Sequence, residues 1–172
     1  MHEISGFIKE VVDQTEVNLR RIHALGVKKV GIASLQPLGC LPRVTVVSSF
    51  HQCDEAMNAM MNLHNNLLNQ VVAKLNNEAK QLTFVYLDYY NAFLSVFKNK
   101  GASLGSTRFE TPLKPCCEGD CAIVDKKGVK KYTLCKDPKS AFFWNDVHPS
   151  QEGWSSVYSV LSKHLSESLI KA

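Results

Sequence analysis

The sequence predicts an α/β fold built on a pair of parallel strands, and three observations predict it. An amphipathic stretch ends at Gly26 and leads directly into a short apolar run over residues 27–35. A second, longer amphipathic stretch separates that run from another apolar one over residues 82–88. Two strands joined by a right-handed helical crossover lie parallel. Finally, a His-Pro pair at His148-Pro149 stands just ahead of a further amphipathic helix. With 172 residues, 45% of them hydrophobic, and no shift in composition, the chain is expected to form a single domain over residues 1–172.

Taking the elements in order, Ile4, Phe7, Ile8, Val11 and Val12 begin an apolar stripe that recurs at three and four residues and resumes at Leu19, Ile22 and Leu25. Thr15 and Asn18 interrupt it, and Gly26 is a natural C′ residue. Residues 27–35 are apolar after two lysines and are closed by Gln36-Pro37-Leu38-Gly39, as expected of a buried strand. Two prolines stiffen the loop Pro37-Leu38-Gly39-Cys40-Leu41-Pro42. Its Cys40 lies thirteen positions before Cys53, and a disulfide between them would staple the loop to the next helix. On the chain-entropy estimate that closure is worth about 3 kcal/mol.

The next helix is expected over residues 53–80, with Met57, Met60 and Met61 as core filler and His64 at its boundary. The second strand ends at Asp88, in the region outside the carboxyl ends of the strands where ligands of open α/β sheets bind. Asp88 therefore either serves a site or caps a short helix over residues 90–98. Residues 100–139, with Gly101, Gly105, two prolines and four cysteines, read as one long irregular loop that needs a function or covalent staples. The last helix, over residues 151–170, is expected to bury Trp154, Val157, Val160, Leu161, Leu165 and Leu169. Ser150 suits its N-cap, and Glu152 suits the positive end of its dipole.

The formal charge of +4 is mild, and its one concentration is Lys126-Lys127-Gly128-Val129-Lys130-Lys131. No aromatic residues are interleaved there for base stacking, so the run reads as a solvated turn and no nucleic-acid partner is expected. Six cysteines favour an oxidising compartment and do not follow paired C-x2-C spacing, so no metal is expected. Among the last four, a vicinal Cys116–Cys117 bond would be strained, which leaves two pairings open. The N-terminus shows no signal-peptide pattern, and no apolar run is long enough to span a bilayer. Either the thiols stay reduced or the chain lacks its front end.

Taken together, Pro37-Leu38-Gly39-Cys40-Leu41-Pro42, Tyr86-Leu87-Asp88-Tyr89-Tyr90-Asn91, Cys116-Cys117, Cys135-Lys136-Asp137-Pro138 and Phe143-Trp144-x-x-x-His148-Pro149 form an ordered set. In this set the chain resembles the plant GDSL esterase/lipases of the SGNH hydrolase superfamily, over nearly its whole length. The resemblance implies a flavodoxin-like three-layer fold, here truncated to two parallel strands with flanking helices and a long cysteine-containing loop. It also implies a serine-hydrolase mechanism on ester or lipid substrates, no cofactor, and an extracellular or secretory location. His148 takes the place of the general base.

Two departures accompany the match. Neither the Gly-Asp-Ser nucleophile motif nor the Gly-x-Asn-Asp motif occurs, so the chain is expected to be a partial domain lacking its N-terminal strands. Ser34 is a poor substitute nucleophile, because nothing around it marks a nucleophile elbow. The position three before the histidine is Asn145 where the family has aspartate, and Asp146 stands one place away. A one-residue shift in extended chain aims a side chain elsewhere, although a turn would let Asp146 substitute. The expected function is therefore carboxylic ester hydrolysis. The alternatives are a catalytically silent fragment or interaction module, associating through an exposed sheet edge, and a small cysteine-stapled binding domain around His148.

Overall fold

The computed structural model describes residues 2–100 and 109–170. The chain divides into two compact units. One comprises Met1–Gln36, Ala59–Asn91 and Leu161–Ala172; the other comprises Pro37–Asn58 and Ala92–Val160.

The first unit is organised by helix α1 (His2–Ala24), strand β1 (Val30–Ala33), most of α3 (Glu55–Ala79) and strand β2 (Phe84–Leu87). Gly26 ends α1 with φ +88°, the left-handed geometry that a glycine C′ adopts without steric cost. Strands β1 and β2 pair in parallel, Val30 opposite Phe84 through Ala33 opposite Leu87. Leu19, Ile32, Leu68, Val72, Leu75 and Phe84 form the core where helix stripes meet the strands. Two asparagines of α3 fasten the ends of the strands. Asn65 exchanges two hydrogen bonds of 2.9 Å with the backbone of Leu35. Asn76 Oδ1 accepts from the Thr83 and Phe84 N–H groups at 3.0 and 2.8 Å. Met57, Met60 and Met61 are only half-buried, so they do not serve as core filler.

Asp88 is a cap: its carboxylate accepts from Asn91 N at 3.1 Å at the start of α4 (Tyr89–Asn99).

In the second unit, the Cys40–Cys53 disulfide closes the proline-bounded loop, which runs into the short helix α2 (Pro42–Thr45). Gly39 is required there, because a Cβ would collide with the Asp54 carbonyl and the Asn58 side chain. The stretch expected to be irregular instead contains an antiparallel hairpin, β3 (Cys117–Val124) and β4 (Lys130–Leu134). Its residues are exposed on both faces apart from Cys117 and a few half-buried positions. Without a buried face there is no apolar alternation to announce a strand. The cysteines pair as Cys116–Cys135 and Cys117–Cys121, one of the two arrangements the sequence left open. Gly101 and Gly105 lie outside the described residues.

The final α-helix, α5 (Gln151–Leu165), buries Val157 and Leu161, while Trp154 and Val160 are 42% and 37% exposed, contrary to the expectation for both. The chain continues from α5 as a π-helical turn, Ser166–Ile170, and the Leu169 side chain lies outside what is described. No described helix is long and apolar enough to cross a membrane.

Candidate active site

The histidine stretch sits on an aromatic base within the second unit. Phe142 and Phe143 are fully buried, and Phe142 meets Phe93, Phe97 and Phe109 edge-on with centroids 5.4, 4.8 and 5.5 Å apart. From this base the chain turns tightly. Trp144 N donates to His148 O at 2.8 Å, and Ser150 N donates to Phe142 O at 2.7 Å. The Ser150 hydroxyl donates to Ala141 O at 2.6 Å and accepts from Gly153 N at 3.0 Å, so one side chain ties the segment before the turn to the first turn of α5. Gly153 allows that approach, since a Cβ there would run into the Phe142 carbonyl.

Asn145 organises the turn. Its Oδ1 accepts from Val147 N at 3.1 Å and His148 N at 2.8 Å, and His148 Nδ1 lies 3.1 Å from the same oxygen. Two backbone N–H groups identify that atom as the amide oxygen, because an amide nitrogen would repel them. A carbonyl oxygen only accepts, so Nδ1 carries the ring proton. In the neutral form of the ring that tautomer leaves Nε2 without a proton, and the residue is exposed.

Asp146 is exposed, and its backbone carbonyl accepts from Arg43 N at 3.0 Å. The nitrogen of the ring that faces the turn is thus met by Asn145. Ser34, in the first unit, is 4% exposed, and its hydroxyl accepts from Tyr90 N at 3.2 Å. No trio of His, Cys, Asp and Glu side chains among the described residues is placed to hold a metal ion.

Several supports carry no signature in the sequence because they are backbone bonds. Cys116 N and Cys117 N donate to Phe143 O and Trp144 O at 2.9 and 2.7 Å, and Cys135 N donates to Cys116 O at 2.7 Å. The disulfide segment thus runs beside the Phe142–Trp144 segment that leads to Asn145 and His148. The stiffness of the Pro37–Pro42 loop was the one available hint that Arg43 would be presented to this turn.

The family model for GDSL-like lipase/acylhydrolase matches residues 2–160. In Arabidopsis thaliana, GDSL esterase/lipase At5g03610 is 68% identical over 99% of this chain and 49% of its own length. GDSL esterase/lipase At3g09930 from the same plant is 61% identical over 95% of this chain and 48% of its own. A more distant Arabidopsis relative, GDSL esterase/lipase At2g36325, is 42% identical over 91% of the chain and 45% of its own. The chain spans about half the length of the curated relatives it matches. With the family match covering most of its length, the chain belongs to the GDSL-like lipase/acylhydrolase family of hydrolases.

Proposed function

We propose that the chain supplies the general base of a carboxylic ester hydrolase of the serine type, with His148 as the base and Asn145 as the residue that positions it. The observation that carries this is the Asn145 Oδ1 to His148 Nδ1 pairing, which leaves Nε2 free to take a proton. In acyl transfer a hydroxyl attacks the ester carbonyl while Nε2 removes its proton, and the resulting imidazolium returns that proton to the departing alcohol. The amide oxygen of Asn145 fixes the ring and accepts its other N–H throughout, though without the full charge a carboxylate would bring. Asp146 is the reserve acceptor in this reading. The attacking hydroxyl is not assigned to a residue of this chain, since Ser34 is buried and engaged with the α4 terminus. Ester or lipid small molecules are the substrate class.

The test is hydrolysis of a short-chain p-nitrophenyl ester by the purified chain and by His148→Ala. Turnover well above the His148→Ala rate supports the reading. Equal rates would overturn it for this chain and leave the silent interaction module.

A specific observation favours that second reading. Among the described residues β1 pairs with β2 alone, and its Gly31 and Ala33 are exposed. On α1, Ile4 is 50% and Phe7 65% exposed. A strand edge and an apolar helix face of this kind recruit a further strand or helix. In this reading the chain is a partial SGNH domain, and its sheet edge drives association.

A further inference from the structure

We propose that the tip of the β3–β4 hairpin docks the protein on an anionic lipid surface. The tip, residues 123–131, holds Lys126, Lys127, Lys130 and Lys131 against Asp125 alone, a net of +3 out of the +4 carried by the whole chain. Interleaved with these lysines are aliphatic side chains facing water: Ile123, Val124 and Val129 are 51%, 54% and 56% exposed.

The single acid is already committed to the turn. Asp125 Oδ1 accepts from Lys127 N at 2.8 Å and Val129 N at 2.9 Å, and its Oδ2 lies 3.5 Å from Lys131 Nζ. Gly128, at φ +78°, completes the reversal. The carboxylate therefore shapes the tip and pairs with Lys131, while no ion pair to Lys126, Lys127 or Lys130 is seen among the described residues. Lys130 is also exposed, its Nζ 5.6 Å from the Tyr132 ring centroid.

Val124 stands opposite Lys130, so these two share one face, and Ile123 points to the other. Each face thus mixes an aliphatic group with cationic neighbours, and the hairpin engages a partner with its end rather than with one side. The disulfides Cys116–Cys135 and Cys117–Cys121 staple its base.

A lipid interface matches both components. Ammonium groups meet headgroup phosphates, while aliphatic side chains enter the boundary between headgroups and acyl chains. A soluble polyanion would satisfy the lysines and leave Ile123, Val124 and Val129 in water. No Phe or Trp lies within the tip to stack on bases. The proposal is independent of the esterase reading, because its readout is binding and not hydrolysis.

The test is cosedimentation of the purified chain with vesicles of equimolar phosphatidylcholine and phosphatidylglycerol, beside vesicles of phosphatidylcholine alone. Binding is expected to the anionic vesicles only and to be released by salt. The double variant Lys126→Glu, Lys127→Glu is expected to bind about tenfold more weakly or worse, and Ile123→Ser with Val129→Ser to weaken binding without changing the charge. Val129→Trp, which leaves every lysine in place, is expected to shift its emission to the blue on binding. No binding to anionic vesicles at low salt would overturn the proposal. So would binding indifferent to the hairpin substitutions. Loss with the lysine variant, no effect of the Ile123 and Val129 substitutions, and full competition by soluble polygalacturonate would replace it with a polyanion patch.

Discussion

Asn145 Oδ1 stands 3.1 Å from His148 Nδ1 while accepting the backbone N–H groups of Val147 and His148. One oxygen thus shapes the turn and aims the ring. Asn145→Ala removes the acceptor from two backbone donors and is expected to cost about 1–3 kcal/mol of stability in urea unfolding. Asn145→Asp retains the acceptor and adds a charge. It is expected to leave stability nearly unchanged and, on the proposed mechanism, to raise ester turnover about tenfold or more. A slower Asn145→Asp protein would contradict the positioning role.

Gly153 packs against the Phe142 carbonyl without room for a Cβ. Gly153→Ala has to push the first turn of α5 away from the Phe142 backbone, at an expected cost of about 1–3 kcal/mol. A thermal melt is the measurement, and an unchanged midpoint would show that the turn yields freely.

Glu16 accepts from Lys74 Nζ at 2.8 Å and from Arg20 at 2.7 Å, and Arg20 also pairs with Glu78 at 2.6 Å. Lys74 first, then Arg20, holds the Glu16 carboxyl below the ordinary value of 4.5, and Arg20 does the same to Glu78. A carboxyl whose pKa is lower folded than unfolded contributes stability above its unfolded pKa and loses it as pH falls through the folded one. Stability of the wild type is therefore expected to fall more steeply than that of Glu16→Gln as pH drops below the ordinary value of 4.5. The check is urea unfolding at several pH values, and parallel curves would remove Glu16 from the network.

The open edge of β1 and the exposed Ile4 and Phe7 are expected to make the isolated chain self-associate with rising concentration. Size-exclusion chromatography over a concentration series decides it. A monodisperse monomer with a single cooperative melt is the contrary outcome.

The strands and helices were legible wherever one face is buried. Ile32 and Phe84 announced β1 and β2, and the crossover rule supplied their parallel pairing. Cys40 and Cys53 pair as their spacing suggested. The β3–β4 hairpin was not legible, because Glu118, Gly119 and Asp120 face solvent and no burial imposes an alternating pattern. Trp154 followed helical spacing yet stays 42% exposed, with its indole against the edge of Phe93 at 5.6 Å. Spacing specifies a face of a helix and says nothing of how deeply that face is covered. At the candidate site, the interval between Asn145 and His148 was visible. The bonds from Arg43, Cys116 and Cys117 were not, since a backbone N–H is the same for nearly every residue.

The Asn145–His148 turn also bears on the order in which this region folds. Its internal bonds join residues no more than nine positions apart, the longest being Ser150 Oγ to Ala141 O. Loops of that length close in roughly 10–100 ns. The bond from Arg43 to Asp146 must instead bring together segments about a hundred residues apart, at a larger cost in loop entropy. The histidine turn is thus a local nucleus that can form before its distant supports arrive. Arg43→Pro, which removes that N–H, should speed the turn's unfolding more than it slows its formation in stopped-flow unfolding and refolding.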